Sequence, residues 1–385
     1  MKVLIVLTYY RPHVSGLTIY AERIAAALAK RGNEVTVLTS QFDPTLPQEE
    51  VLEGVRIIRV PVLFRLSKGV IMPKFGLMAS KLVKENDVIQ LHLPQFDAAG
   101  VALRGRLLKK PTVITYHCDL QLPPGLFNRV ANLAVLLMND LAARFTHRIV
   151  TYTDDYARHS KYTQRFMHKV QVIAPPVVLP EIPEEKKKEF GLVHNPKGQH
   201  PVIGMAARFA TEKGVEILLK AMPEIIERYP NALFQFVGPY QHIIGEEQYF
   251  QRLQPEIEKF ERSGNWKFLG SMSPSQMSGF YANLDLLVLP SLNSTEAFGL
   301  VQIEAMLNGV PCVTSNLPGV RQPVTVHGMG EIFPIGDSKE LAHKVLSVLG
   351  NLETRRSPKV DFSRYSPDLV AQAYEELFER IKLEL

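Results

Sequence analysis

Short apolar, β-branched runs recur along this chain, separated by stretches whose apolar residues return every three or four positions. In the first half, Lys2–Thr8, Glu34–Thr39, Arg56–Val60, Val88–His92, Thr112–Tyr116, Arg148–Tyr152 and Val170–Ile173 predict strands. The stretches Ile19–Arg31, Phe75–Glu85 and Ala98–Lys109 predict helices between them. Such alternation argues for a parallel sheet with helices on both faces. The pattern restarts at Pro201–Ala207 and continues through Leu233–Val237, Trp266–Leu269, Leu286–Leu289 and Pro311–Ser315. Between the two series lies Ala174-Pro-Pro-Val-Val-Leu-Pro-Glu-Ile-Pro-Glu-Glu-Lys-Lys-Lys188, whose proline and charge density suits a connector. The last stretch, Pro367–Leu385, has helical period with Leu369, Ala373, Leu377 and Ile381 on one face.

At 385 residues the chain exceeds what one hydrophobic core usually supports, so two domains are expected. Its 46% hydrophobic and 22% charged residues are those of a globular protein. Two cysteines, Cys118 and Cys312, are too few for a disulfide scaffold and lack metal-ligand spacing, which suits a reducing cytoplasm. The apolar run after Met1 is cut by Thr8-Tyr-Tyr-Arg-Pro12, so it reads as a buried strand rather than a secretory signal. The longest apolar stretch, Leu133–Met138, is far below the ~20 residues of a membrane span. Charge is uneven: residues 1–175 carry a balance of +10 and the remainder −5, within the total of +5. The basic half is suited to an anionic partner, and no recognition motif supports nucleic acid. The first strand leads into Tyr9-Tyr-Arg-Pro-His-Val-Ser-Gly16 with no G-x-G-x-x-G, so a dinucleotide fingerprint is absent.

Candidate chemistry concentrates at predicted strand ends. Ser294-Thr-Glu296-Ala-Phe-Gly-Leu-Val-Gln-Ile-Glu304-Ala-Met306 places two carboxylates eight positions apart after the run Leu286–Pro290. A helix beginning near Phe298 would put Glu304 one to two turns inside and Glu296 just before its start. The free amides and positive dipole end of such a helix form an anion cradle, and Gly299 would let those amides approach a ligand. Exposed glutamates near a helix start are also common for the dipole alone. Arg208 and Lys213-Gly214 follow the strand Pro201–Ala207, where ligands of open α/β sheets bind. Two such cations can straddle a diphosphate, though a solvated surface pair is the plainer reading. His117 and Asp119 close the strand Thr112–Tyr116; His117 can donate to a sugar hydroxyl or serve as a structural histidine, and His92 carries the same ambiguity. Gly16 after the first strand permits close approach of a phosphate or is a simple turn residue.

Taken together, the Glu296…Glu304 pair with Phe298-Gly299-Leu300, the Arg208…Lys213-Gly214 pair, Gly16 and Tyr116-His117-x-Asp119 resemble the retaining glycosyltransferases of family 4, with their two-domain GT-B fold. The resemblance covers essentially the whole chain, with the motifs in family order. One departure is Ser15 where the family often has a second glycine. The resemblance implies two Rossmann-like parallel-sheet domains facing a cleft: an acceptor domain at 1–175, a linker at 176–200, a nucleotide-sugar domain at 201–365, and a helix at 366–385 crossing back onto the first domain. It implies that Arg208 and Lys213 hold the donor diphosphate and that Glu304 accepts from the nucleotide ribose. Glu296 and the amides of Phe298, Gly299 and Leu300 would hold the donor sugar, Gly16 would approach the phosphate, and His117 would contact the sugar near the reacting carbon. The loops holding Gly238 and Met272 would meet the base. No resident cofactor or metal is implied; the nucleoside-diphosphate sugar is a co-substrate.

The acceptor is approached through charge. Between Glu53 and Glu85 stand Arg56, Arg59, Arg65, Lys68, Lys74, Lys81 and Lys84 with no acid, interleaved with large apolar residues; Arg104, Arg106, Lys109 and Lys110 form a second cluster. Such mixtures suit an interfacial segment, and equally a core helix with a solvated basic face. The expectation is a cytoplasmic enzyme, peripheral on the inner face of the cell membrane, acting on a lipid or lipid-linked glycan. A soluble acceptor, or a nucleotide-sugar 2-epimerase on the same architecture, are the alternatives.

Overall fold

The computed structural model describes all residues except 67–68, 121–125, 242, 244 and 357–360. The chain forms two units, Met1–Val177 with Ser363–Leu385, and Val178–Phe362. Every apolar run predicted as a strand is one, with ends shifted by at most a residue or two.

The first unit is built on eight strands in the order Val170–Val172, Arg148–Thr151, Thr112–Tyr116, Val88–Leu93, Lys2–Val6, Glu34–Gln41, Val55–Pro61, Glu49–Leu52. Neighbours are parallel except the last pair. Lys2–Val6 lies at the centre, with Ile5 opposite both Val37 and Gln90, which is why its apolar run is continuous rather than alternating. Glu49–Leu52 escaped the sequence pattern because an edge strand tolerates the charges of Glu49 and Glu50. Arg56 and the buried Arg59, counted among the outward basic residues of 53–85, pair with Glu49 and Glu50 on that strand. Lys68 lies outside the described residues.

Helices Phe75–Glu85, Ala98–Leu107 and Leu126–Phe145 pack on one another in that order. Arg104 joins the first two by donating to Ser80 Oγ at 2.7 Å and to the carbonyl of Gly76 at 3.3 Å, so it is a packing residue rather than a surface cation. Helix Gly16–Lys30 packs on the terminal helix Pro367–Leu383. That helix buries Val370, Tyr374, Leu377, Phe378 and Ile381; of the predicted face Leu377 and Ile381 are buried, Ala373 is half-buried and Leu369 is exposed. Tyr374 extends a buried chain of hydrogen bonds: its hydroxyl meets Tyr20 Oη at 2.8 Å and Thr115 Oγ1 at 2.7 Å, and Gln90 Nε2 donates to Thr115 Oγ1 at 3.0 Å. Among the described residues no helix is long and apolar enough to cross a membrane.

The second unit holds six parallel strands in the order Trp266–Gly270, Leu233–Val237, Val202–Ala206, Leu286–Leu289, Cys312–Ser315, Gly330–Phe333. Phe209, Phe234, Phe236 and Trp266 pack into its core with helix Val215–Arg228. The segment 176–200, read as a connector, contains helix Glu184–His194, which packs on helix Pro274–Ala282. A side-chain carbon on Gly279 would come within 2.9 Å of the Phe190 ring, so glycine there sets how closely the two helices approach.

In both sheets the strand order reverses beside the first strand of the unit: between Lys2–Val6 and Val88–Leu93, and between Val202–Ala206 and Leu286–Leu289. Loops at the carboxyl ends of strands flanking such a switch point diverge and leave a crevice.

Candidate active site

At the switch point of the second sheet, the loop after Val202–Ala206 carries Arg208 and Lys213, and the loop after Leu286–Leu289 carries Glu296. Two contacts lock these loops together. Leu292 N donates to the carbonyl of Glu212 at 2.9 Å. Gly214 has φ +70°, and a side-chain carbon there would lie 2.0 Å from the carbonyl oxygen of Pro290, so only glycine lets helix Val215–Arg228 start this close.

The result is a compact charge cluster. Lys213 Nζ donates to Glu296 Oε2 at 2.7 Å, and Glu296 Oε1 accepts from the Gly299 amide at 3.0 Å. Arg208 Nη2 donates to Glu212 Oε1 at 2.6 Å. Both cations expected to face a diphosphate are thus held by the protein's own carboxylates. Burial works against the Lys213 ammonium, but Glu296 outweighs it and holds its pKa above the ordinary lysine value. Burial likewise raises the Glu212 carboxyl, while its backbone amide and Arg208 bring it below the usual range.

The helix after this loop starts at Leu300, two residues later than expected, with Gly299 at φ +77° as its cap and its amide held by Glu296. Gln302, fully buried, donates to the carbonyls of Phe298 and Val320, each at 2.9 Å, and fixes the turn. Phe298 is buried and Leu300 half-buried. Glu304 lies in the second turn, 7% exposed, and accepts from Tyr281 Oη at 2.9 Å. The loops with Gly238 and Met272 end the next two strands. They are stitched to the Arg208 loop, since Gly238 N donates to Gly270 O at 2.9 Å and Phe209 N to Pro239 O at 2.9 Å. Gly238 is required, because a side-chain carbon would sit 2.0 Å from the carbonyl oxygen of Ala207. Met272 is half-buried. All the predicted residues of the second half therefore stand at one end of one sheet.

In the first unit, Ser15 caps helix Gly16–Lys30 in a capping box with Thr18, so the residue that departs from the family pattern has a folding role. Gly16 is the first helical residue, and nothing lies within 4 Å of where its side chain would be. His117 is buried at 6% exposure, its Nε2 2.8 Å from His92 Nδ1 and its Nδ1 hydrogen-bonded to Tyr152 Oη. Tyr20, one turn beyond Gly16, meets its ring edge-on at 5.0 Å. Burial lowers His92 to about 3, and burial together with His92 holds His117 well below the ordinary histidine range. Both rings are therefore neutral near neutral pH. Asp119 accepts from Tyr116 Oη at 2.8 Å and Ser160 Oγ at 2.6 Å, which ties down the strand end.

Glu212, Tyr281, Gln302 and Tyr152 carry no signal in the sequence. Each acts through a contact between residues on different elements.

The fold is that of the GT-B class, and the family models make the chain a glycosyltransferase. Residues 14–180 match the glycosyltransferase family 4 model and residues 186–360 the model for glycosyl transferases group 1. The chain belongs to glycosyltransferase family 4. It is 25% identical to an uncharacterized glycosyltransferase of Methanocaldococcus jannaschii over 97% of this chain and 96% of that one. It is 23% identical to the phosphatidyl-myo-inositol mannosyltransferase of Mycobacterium leprae, covering 87% and 84% respectively. Among solved structures it resembles Anabaena HepE in complex with UDP, with a TM-score of 0.73 and 21% identity over 99% of this chain and 100% of that one.

Proposed function

We propose that this glycosyltransferase is a retaining, metal-independent hexosyltransferase that takes its hexose from a nucleoside-diphosphate sugar. The observation that carries this reading is the Lys213 ammonium and the Gly299 amide converging on one carboxylate, at the switch point where such ligands bind. An ammonium and a helix-start amide aimed at one anion are what a departing diphosphate requires.

In this reading the donor diphosphate replaces Glu296 and Glu212 as the partner of Lys213 and Arg208. The displaced Glu296 carboxylate then accepts from hydroxyls of the sugar, beside the amides of Phe298, Gly299 and Leu300. Glu304, steadied by Tyr281, accepts from the ribose hydroxyls. The backbone at Gly238 and Met272 meets the base. When the bond from the sugar's anomeric carbon to the phosphate oxygen breaks, negative charge grows on the diphosphate, and the fixed cations favour that state over the ground state. The acceptor oxygen bonds to the same carbon from the same face, and its proton passes to the departing phosphate oxygen. Gly16 approaches the phosphate, and neutral His117 contacts the sugar by exchanging one of its present partners, His92 or Tyr152.

The acceptor in this reading is a lipid or lipid-linked glycan, met at the inner face of the cell membrane. Support comes from the basic first unit and from the mycobacterial relative named for a phosphatidyl-inositol acceptor. Thermal shift with UDP-, GDP- and ADP-sugars, followed by acceptor trials in chelator and NMR of the product anomer, tests the whole reading. Absence of a shift with any nucleoside-diphosphate sugar rejects donor binding. Conversion of the donor alone into an isomer rejects transfer in favour of epimerisation.

A further inference from the structure

The two buried histidines of the first unit are paired by the register of its sheet. His92 lies near the end of the strand Val88–Leu93, opposite Thr115. His117 follows the neighbouring strand, and its backbone amide donates to the carbonyl of Leu93 at 3.0 Å. The rings meet 5.0 Å apart centre to centre, 23° from parallel, with His92 Nδ1 2.8 Å from His117 Nε2. Burial disfavours the charged form of both, so each ring carries a single proton near neutral pH. A hydrogen bond between neutral rings needs one protonated and one bare nitrogen at the contact. Two arrangements satisfy this: both rings carry their proton on Nδ1, or both carry it on Nε2.

The far side of His92 decides between them. His92 is 1% exposed, and its Nε2 is enclosed with no hydrogen-bond partner among the described residues. The Tyr20 ring, 5.9 Å away centre to centre, is too distant to take an N–H on its face. Buried N–H groups are almost always paired in native proteins, whereas an unused lone pair is more readily tolerated. Nε2 of His92 is therefore the bare nitrogen, and its proton sits on Nδ1, donating to His117 Nε2. The His117 proton is then on Nδ1, facing the Tyr152 hydroxyl. The same orphan selects which partner His117 can exchange. Leaving His92 would strand both nitrogens of a buried ring, and leaving Tyr152 strands neither.

We infer that His92 is the positioning residue of His117: it donates to His117 Nε2, keeps the His117 proton on Nδ1, and so makes His117 a hydrogen-bond donor to the transferred sugar in the place Tyr152 now holds. The inference rests on the reading that His117 contacts the sugar; it adds the ring nitrogen and the direction of the bond. A donor N–H suits a sugar hydroxyl oxygen. Its neutrality matters as well, because an imidazolium there would oppose the positive charge that grows on the anomeric carbon as the phosphate departs.

Nitrogen-15 NMR of the full chain with labelled histidine tests it. Protonated and bare ring nitrogens have well-separated shifts, and spectra of His92→Phe and His117→Phe assign the two rings. Protons on Nδ1 of both rings are expected at neutral pH. A proton on Nε2 of either ring overturns the inference, a result read on the unsubstituted chain and so independent of how the variants fold. Turnover is followed as release of nucleoside diphosphate from the donor giving the largest thermal shift. His92→Phe keeps a ring but loses the N–H, and should lower kcat at least ~10-fold, with KM for the donor within a few-fold and melting near that of the parent. His92→Asn restores a short side-chain N–H and should recover most of the loss. Parental turnover of His92→Phe, or equal losses in the two His92 variants, overturns the positioning role. His117→Phe separates this role from the reading beneath it. Loss of turnover in His117→Phe with none in His92→Phe retires the positioning role alone, whereas parental turnover of His117→Phe removes His117 from the sugar and both readings with it.

Discussion

Lys213→Ala removes one charge from the cluster at the second switch point, and its effect can be sized from the geometry. The ammonium is 18% exposed and 2.7 Å from the Glu296 carboxylate, so water screens it only in part. Two unit charges ~4 Å apart at an effective dielectric near ~20 interact by about 4 kcal/mol. A departing diphosphate gains roughly half to one unit of charge, so Lys213 contributes about 2–4 kcal/mol to the barrier, or ~30- to ~1000-fold in rate. The fold should lose much less, because the freed Glu296 is itself 19% exposed and keeps the Gly299 amide. The assay is initial-rate release of the nucleoside diphosphate from the donor giving the largest thermal shift, alongside the melting temperature of the same preparation. Glu296→Ala belongs in the same experiment, with an expected loss of at least ~100-fold. Turnover within a few-fold of the parent in both variants, with melting preserved, would refute the role given to this cluster.

Glu304→Ala should raise KM for the donor ~10-fold or more through loss of a hydrogen bond to a charged acceptor, worth about 1.5–3 kcal/mol, while Tyr281→Phe should raise it only a few-fold; equal KM values across the three proteins, measured by steady-state kinetics, would separate Glu304 from the ribose. His92 and His117 predict acid sensitivity. Their folded pKa values lie below the unfolded value of ~6.5, so the unfolded chain binds more protons below that pH. Stability is then complete above ~6.5 and falls as the pH drops toward the folded values, by about 1.4 kcal/mol per pH unit for each histidine. Urea midpoints compared at about pH 7 and about pH 5 should fall together with this slope, and flat midpoints would count against neutral buried rings. Gly214→Ala should destabilise the second unit by at least about 2 kcal/mol through left-handed strain and the close Pro290 carbonyl, read as a lowered urea midpoint; an unchanged midpoint would show that the loop relaxes freely.

The parallel sheets were legible because buried parallel strands read as unbroken apolar runs, and a run such as Leu286–Leu289 has few other uses. Glu49–Leu52 and Gly330–Phe333 were not, being short edge strands whose composition resembles a loop. Helix Leu126–Phe145 was seen only as an apolar stretch, and its partial exposure became visible once its neighbours were placed. Of the candidate site, the strand-end positions of Arg208, Lys213, Glu296 and His117 could be read directly. Their partners could not. The contact of His92 with His117 depends on adjacent strands running in a register that sets His92 opposite Thr115, and the contact of Lys213 with Glu296 on two loops far apart in sequence. Periodicity reports which face of an element is buried, not which side chain it meets.

The hydroxyl chain from Tyr20 through Tyr374 to Thr115 has a bearing on how the polypeptide is made. Residues that emerge first from the ribosome wait, with one side of helix Gly16–Lys30 uncovered, until the stretch beginning at Ser363 has been translated. The intervening Val178–Phe362, unbroken in sequence, meets no such delay and can acquire its native contacts first. The earlier-born unit thus needs the last-translated helix to complete its native contacts, whereas the unit between them needs nothing made after itself.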